Sequence, residues 1–344
     1  MAILYVTSTE EGAGKTAFCA TFGKLLSSKG RRVGYFKPLL VSKDPISAYA
    51  DPDIEFCKRV LNLSEPAGVL DPTVVSPDQL TDGLGPVAAK VRDNLKQVSA
   101  GKDLILVEGL SSADPAGAAG KASAELAGLL NSKVVLVTGC RWITKPDAVV
   151  ALAKSYGDRV LGALVNGVPP VGEPAASINF VTTLERAGVP VVGVVPEDRL
   201  LRSFSVGDLA KNLGGEIVFD PNGLSALVEH FMVGANALDP GDLYYGRMVN
   251  KAVIVRGDRP DMQWSALETP TKCLLLTNNI KPIPYVLDRA KEQGVPVIVV
   301  PKGTIETVAE LEKLVVRPAF HHKEKLMRFH ELLTKHLRQE RLAA

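Results

Sequence analysis

From residue 1 to about residue 200, short runs rich in Val, Ile and Leu alternate with longer segments of helical period. Strands buried on both faces read as continuous apolar runs, so this alternation predicts a mostly parallel sheet with helices on both faces. The strands are expected at residues 3–7, 33–37, 104–108, 134–138, 161–166 and 191–195. Between the first two, Phe18, Phe22, Leu25 and Leu26 recur at helical spacing, and Gly30 follows Lys29 where a C-terminal cap belongs. That is one strand–helix–strand unit. Pro146 opens a later helix that runs through Val149 and Leu152 toward Tyr156, and Gly157-Asp158 turns the chain into the next strand.

The texture changes between residues 199 and 245, where Leu213-Gly214-Gly215, Asp220-Pro221-Asn222-Gly223 and Asp239-Pro240-Gly241-Asp242 punctuate shorter elements. A domain boundary is expected near residue 203. Beyond it, three strands at residues 252–255, 273–276 and 297–300, with helices after Pro282 and Thr304, make a second, smaller α/β unit over residues 204–319. In the tail, residues 320–344, Leu326, Phe329, Leu333 and Leu337 fall at i, i+3, i+7 and i+11, the stripe of a basic amphipathic helix. Four of the five histidines, His321, His322, His330 and His336, lie there, no two at the i, i+4 spacing that puts two ligands on one helical face. The tail is expected to be a docking or dimer helix with a solvated His/Lys face.

Composition narrows the picture. At roughly 150 residues per domain, a chain of 344 residues holds two domains. Forty Lys and Arg against 38 Asp and Glu leave a formal charge of +2, which argues against a nucleic-acid partner. Cys19, Cys57, Cys140 and Cys273 are scattered with no Cys-x-x-Cys pair, so neither a disulfide framework nor a thiolate zinc site is expected. No apolar run approaches the roughly 20 residues of a membrane span, and the N-terminus lacks a signal-peptide layout. The expected setting is the cytoplasm, with no membrane partner.

Gly12-Ala13-Gly14-Lys15-Thr16 directly follows the first strand and opens the first helix. There a glycine-rich loop turns backbone N–H groups toward phosphates, and the helix dipole favours the anion. Lys15 would reach the β- and γ-phosphates and the Thr16 hydroxyl would ligate Mg²⁺. The strict motif has Gly five residues before Gly14, where this chain has Thr9. The candidate nucleotide loop is therefore Thr9, Glu11, Gly12, Ala13, Gly14, Lys15 and Thr16, and the alternative is a vestigial loop. For Mg²⁺, Glu108 at the end of its strand is one candidate and Asp53, with Asp51 as its rival, the other. The competing readings are a strand-end charge facing water for Glu108 and a helix N-cap for Asp53. Lys37, just before Pro38, should project from the carboxyl edge of the sheet as a second ammonium near the γ-phosphate. Asn166-Gly167 and Pro196-Glu197-Asp198 end later strands, where Asn166 can read a base edge and Pro196 and Glu197 stand beside it.

Together, residues 6–16, Phe36-Lys37-Pro38, Val107-Glu108-Gly109, Val165-Asn166-Gly167 and residues 193–198 resemble the dethiobiotin synthetase-type ATPase domain. Residues 257–261, Thr277-Asn278-Asn279 and residues 294–298 are similar to a DRTGG domain. The pair looks like the N-terminal, non-transferase region of long-form phosphate acetyltransferases. The resemblance implies ATP and Mg²⁺ as cofactors, Lys15 and Lys37 as catalytic groups on the phosphates, Thr16, Asp53 and Glu108 on the metal, and Asn166 on the adenine. Leu39-Leu40-Val41 stands where dethiobiotin synthetases carry a small hydroxyl residue, so diamine chemistry is not expected. Asn278 replaces a Gly of the DRTGG pattern.

The expected protein is thus a P-loop ATP-binding protein, with or without hydrolysis, whose DRTGG-like domain regulates a partner in acetyl metabolism or its own homodimer. Residues 320–344 leave no room for an acetyl-transfer domain, so these 344 residues are not expected to make acetyl phosphate by themselves. The alternatives are an ATP-dependent ligase acting on a small carboxylate or carbamate, and a non-catalytic dimeric scaffold. A glutamine-driven amidotransferase is disfavoured because Cys273 lies inside an apolar strand.

Overall fold

The computed structural model describes residues 1–42, 51–139, 145–169, 174–221, 224–234, 241–315 and 319–342. Cys140, Asn222-Gly223 and Asp239-Pro240 lie outside them. The chain forms two compact units, residues 1–197 with 320–344, and residues 198–319.

The first unit contains β1 (Ala2–Ser8), β2 (Val33–Phe36), β3 (Leu39–Val41), β4 (Thr73–Val75), β5 (Leu104–Ser111), β6 (Lys133–Gly139), β7 (Val160–Val168) and β8 (Val191–Pro196). Six of these form one sheet in the order β2-β5-β1-β6-β7-β8, every neighbouring pair parallel. The apolar runs read from the sequence are these six strands, buried on both faces as continuous runs require. Helices cover both sides. Leu106 meets Leu61 and the helix Lys15–Ser28 on one face, while Ile105 faces the helix Gly85–Val98 and Tyr5 the helix Ala118–Leu129 on the other. β1 is central: the chain leaves it for β2 on one side and later crosses from β5 to β6 on the other. Ligands of open α/β sheets bind at the carboxyl edge of such a switch point. β3 and β4, a short parallel pair, were not expected from the sequence.

The tail belongs to this unit, as a docking helix would. The helix Lys323–His336 buries Leu326, Phe329, Leu333 and Leu337 against the first unit. Leu337 then bridges Gly193 of β8, and the Arg338 N–H donates to the Val192 carbonyl at 2.8 Å, covering an edge strand that would otherwise be open to pairing. A Cβ on Gly193 would stand 3.0 Å from the His336 carbonyl oxygen, so the approach depends on glycine. The stripe that argued for a homodimer is thus satisfied within the chain.

The second compact unit covers residues 198–319. It holds β9 (Phe204–Ser205), β10 (Glu216–Phe219), β11 (Leu227–Val228), β12 (His230–Gly234), β13 (Lys251–Arg256), β14 (Thr271–Thr277) and β15 (Val297–Val299). Its main sheet has the order β10-β15-β14-β13-β12, with only β10 antiparallel, and β9 pairs with β11. Alternation along the strands splits the core in two. Val253, Val255, Leu274 and Leu276 pack with Met262, Ala266, Val286 and Ala290 from the helices Pro260–Leu267 and Pro284–Gln293. Ala252, Ile254, Cys273 and Leu275 pack with Leu209, Leu213 and Leu311 from the helices Val206–Leu213 and Thr304–Val315. Cys273 is a core thiol, its pKa pushed up by burial. Among the described residues, no helix is long and apolar enough to cross a membrane.

Candidate functional site

The loop after β1 is shaped by its glycines. Gly12 and Gly14 have φ of 75° and 107°, left-handed values that favour glycine, and a Cβ on Gly14 would lie 2.6 Å from Asn166 Nδ2. Gly14 caps the helix Lys15–Ser28 with no side-chain bond to its first turn, so the first amides keep their donors for an anion. Thr9, in the place of the motif's first Gly, is buried and donates to Glu10 Oε2; Glu10 Oε1 in turn accepts the Gly139 N–H at 2.7 Å. The departure from the strict motif thus fastens the loop to the end of β6. Glu11 and Gly12 are exposed at the tip, and Ala13 is buried.

Lys15 is half-buried and donates to Ser8 Oγ at 3.2 Å and to Ser111 Oγ. Among the described residues no carboxylate lies in ion-pair range of it. Burial pulls its pKa down, only partly opposed by the Glu108 carboxylate. β5 runs on to Ser111, past the end expected at residue 108, and that extension delivers the second hydroxyl.

Glu108 does not face water. It is 3% exposed, accepts the Thr16 hydroxyl at 3.0 Å and the Tyr35 hydroxyl at 2.8 Å, and stands 3.7 Å from Lys37 Nζ. Burial raises its pKa against the pull of Lys37. Lys37 also lies 2.6 Å from Asp51 Oδ2 and 2.7 Å from Asp53 Oδ2. Burial alone would lower the Lys37 pKa, but Glu108, Asp53 and Asp51 outweigh it and hold the ammonium charged. Asp51, not Asp53, is the N-cap of the helix Pro52–Leu61, its Oδ1 accepting the Asp53 N–H at 2.9 Å. Asp53 stands in the first turn of that helix, where His321 Nε2 lies 2.8 Å from its Oδ1. Burial would raise the Asp53 pKa, but the bond to His321 and the charge of Lys37 drive it well below the carboxylate range.

Asn166 Nδ2 donates to the Ala13 carbonyl at 2.9 Å and so braces the loop from β7. Pro196 ends β8 opposite Val168, whose carbonyl accepts the Glu197 N–H at 2.7 Å. The carboxyl edge is therefore charged and hydroxylic at β2, β5 and β1, and carries the neutral amide of Asn166 at β7. Lys15, Thr16, Lys37, Asp53 and Glu108 come together on the first side, with Asn166 next to the loop and Pro196 and Glu197 one strand further out. Ser111, Tyr35, Glu10 and His321 also belong to the site and were not singled out in the sequence: Glu10 lies in the loop itself and Tyr35 on the strand read at residues 33–37, where no motif marks them, whereas Ser111 and His321 arrive from parts of the chain far from their partners.

The oxygens present suit a hard cation. Thr16 Oγ1 and Glu108 Oε1 are adjacent and Asp53 stands across Lys37, although no three His, Cys, Asp or Glu side chains among the described residues are grouped closely enough to hold a metal by themselves. Mg²⁺ is usually held by one or two carboxylates together with waters and substrate phosphates, so the set fits that ion when it arrives with a phosphate.

A model of the DRTGG domain matches residues 208–314. Over 99% of its length the chain is 25% identical to a phosphate acetyltransferase of Nitrosomonas europaea, and over 91% it is 24% identical to that of Deinococcus radiodurans. It covers 51% and 47% of those proteins, so it spans about half the length of the curated relatives it matches. The solved cobyrinic acid a,c-diamide synthase of Mycobacterium smegmatis with bound ATP analog and magnesium is similar over 58% of this chain and 88% of that chain, at 20% identity and a TM-score of 0.38, too low to carry an argument. A model of the AAA domain matches residues 3–204, more than half of the chain, and with the glycine loop and parallel sheet already described the chain belongs to the AAA domain family, with a DRTGG domain following.

Proposed function

We propose that the first unit binds Mg-ATP at the carboxyl edge of β1, β2 and β5, and that the DRTGG domain turns the nucleotide state into regulation. The observation that carries this reading is Lys15, a half-buried ammonium at the base of a glycine loop whose partners are two neutral hydroxyls. Burying a cation without a counter-charge is costly, and a phosphate would supply that charge. In this reading the first-turn amides and Lys15 hold the β- and γ-phosphates, and Lys37 leaves its carboxylates to meet the γ-phosphate. Thr16, Glu108 and Asp53 hold Mg²⁺, which supplies charge neutralisation on the phosphates. Asn166, Pro196 and Glu197 line the base side. The relatives are phosphate acetyltransferases, and the regulated process is proposed to be acetyl transfer.

The test is calorimetric titration of Mg-ATP into the wild type and into Lys15→Ala, with Mg-GTP as the specificity control. Micromolar binding of Mg-ATP, weakened about 100-fold or more by Lys15→Ala, is expected, a loss of about 3 kcal/mol at 1.4 kcal/mol per decade. Equal binding by both proteins, or none by the wild type, would remove the reading.

A further inference from the structure

We infer that the C-terminal segment completes this site, with His321 as a positioning residue that orients Asp53 for the metal. The inference rests on the Mg-ATP reading above and adds a residue from the far end of the chain, 268 positions from its partner.

Three observations support it. First, the Asp53 carboxylate is divided: Oδ2 faces Lys37 at 2.7 Å, while Oδ1 faces His321 Nε2 at 2.8 Å. A partner on Oδ1 fixes the plane of the carboxylate and leaves Oδ2 for whatever replaces Lys37. Ligating carboxylates depend on such outer partners, whose loss typically weakens metal binding by about 10- to 100-fold. Second, the imidazole is held by packing. Its centroid lies 5.3 Å from that of Phe56, Phe56 meets Phe320 edge-on at 5.8 Å, and Phe320 meets the buried Phe329 at 5.7 Å. Side chains pinned by their neighbours make dependable positioning groups. Third, the segment is anchored beyond the ring by the helix Lys323–His336 and its bridge to β8. His321 thus arrives on a fixed element. The same anchoring links the filling of the site to the segment through which the chain returns after residues 198–319.

The test separates positioning from packing. His321→Phe keeps a ring against Phe56 and removes both nitrogens, while His321→Gln restores a side-chain N–H donor. ATP is titrated calorimetrically into wild type and both variants, once with Mg²⁺ and once with EDTA. His321→Phe should weaken binding about 10-fold with Mg²⁺ and less than about two-fold with EDTA, and His321→Gln should recover most of the difference. Unchanged binding, or an equal loss with and without Mg²⁺, would overturn the inference while leaving the Lys15→Ala result standing. Failure of the wild type to bind ATP would overturn both.

Discussion

At the carboxyl ends of β1, β2 and β5 the first unit gathers Lys15, Lys37, Asp51, Asp53 and Glu108, all at least half-buried and drawn from four parts of the chain. At the carboxyl ends of β13, β14 and β15 the second unit carries charges too, but they are solvated. Arg256 pairs with Asp258 and Arg259 with Asp261, each two residues away, while Lys281 pairs with Glu216 and Lys302 with Glu310 across exposed surface. Two sheets built on the same rules thus treat charge in opposite ways. Exposed pairs contribute little because water screens them. Buried ones persist only in a network, and their pKa values move, which is the signature of sites where chemistry or binding occurs.

The largest effect that should follow is at Lys37. Removing it leaves Asp51, Asp53 and Glu108 facing one another out of water. Breaking a buried pair by deleting one partner costs about 3–5 kcal/mol, so Lys37→Ala should lower the stability of the first unit by about that amount in urea denaturation at neutral pH. A change below about 1 kcal/mol would mean that water already screens this cluster and that the contrast between the two edges is false.

How far the sequence reveals these two edges depends on how local each feature is. The six strands of the first sheet could be read because fully buried strands are continuous apolar runs. β10 and β12 could not, since both are short outer strands of their sheet whose residues are mostly half-buried or exposed, so neither makes the continuous apolar run of a strand covered on both faces. Lys15 and Thr16 announce themselves by adjacency to Gly14, and Lys37 and Glu108 by their places after apolar runs. Ser111 reaches Lys15 across 96 residues, and His321 reaches Asp53 across 268, so only the folded topology brings them in. The tail shows the same division. Its apolar stripe follows from spacing alone, but whether that stripe covers a second chain or β8 of its own depends on where residue 320 emerges, which periodicity does not contain.

A smaller effect sharpens the comparison at a buried ammonium away from any carboxyl edge. Lys251, the first residue of β13, is fully buried with Nζ 3.0 Å from Thr269 Oγ1 and 3.1 Å from the Pro270 carbonyl. Burial lowers its pKa from 10.5 to about 8. The unfolded chain binds this proton more tightly than the folded one, so stability rises with pH between those two values. The contribution is fully present above the unfolded value and is lost as the pH falls through about 8. The stability of the wild type should therefore climb relative to Lys251→Met from pH 8 to pH 10 in parallel denaturation curves. Parallel pH profiles would show that the ammonium is hydrated in the fold. Like Lys15, Lys251 is bonded to neutral oxygens, but it sits at the amino end of its strand with no glycine loop above it. A buried cation becomes a candidate ligand site only where the backbone also turns donors toward it.

The smallest effect is expected at Arg256. Its side chain is 58% exposed and that of Asp258 is 43% exposed, so water solvates both whether or not they touch. Two residues apart on one turn, they are neighbours in the unfolded chain as well, and what little attraction survives screening is partly present before folding. Arg256→Ala should leave the urea midpoint of the second unit unchanged, and added salt should not separate variant from wild type. A resolved loss of stability would break the comparison in its other half, because it would mean that the second unit too keeps a charge pair away from water at the ends of its strands.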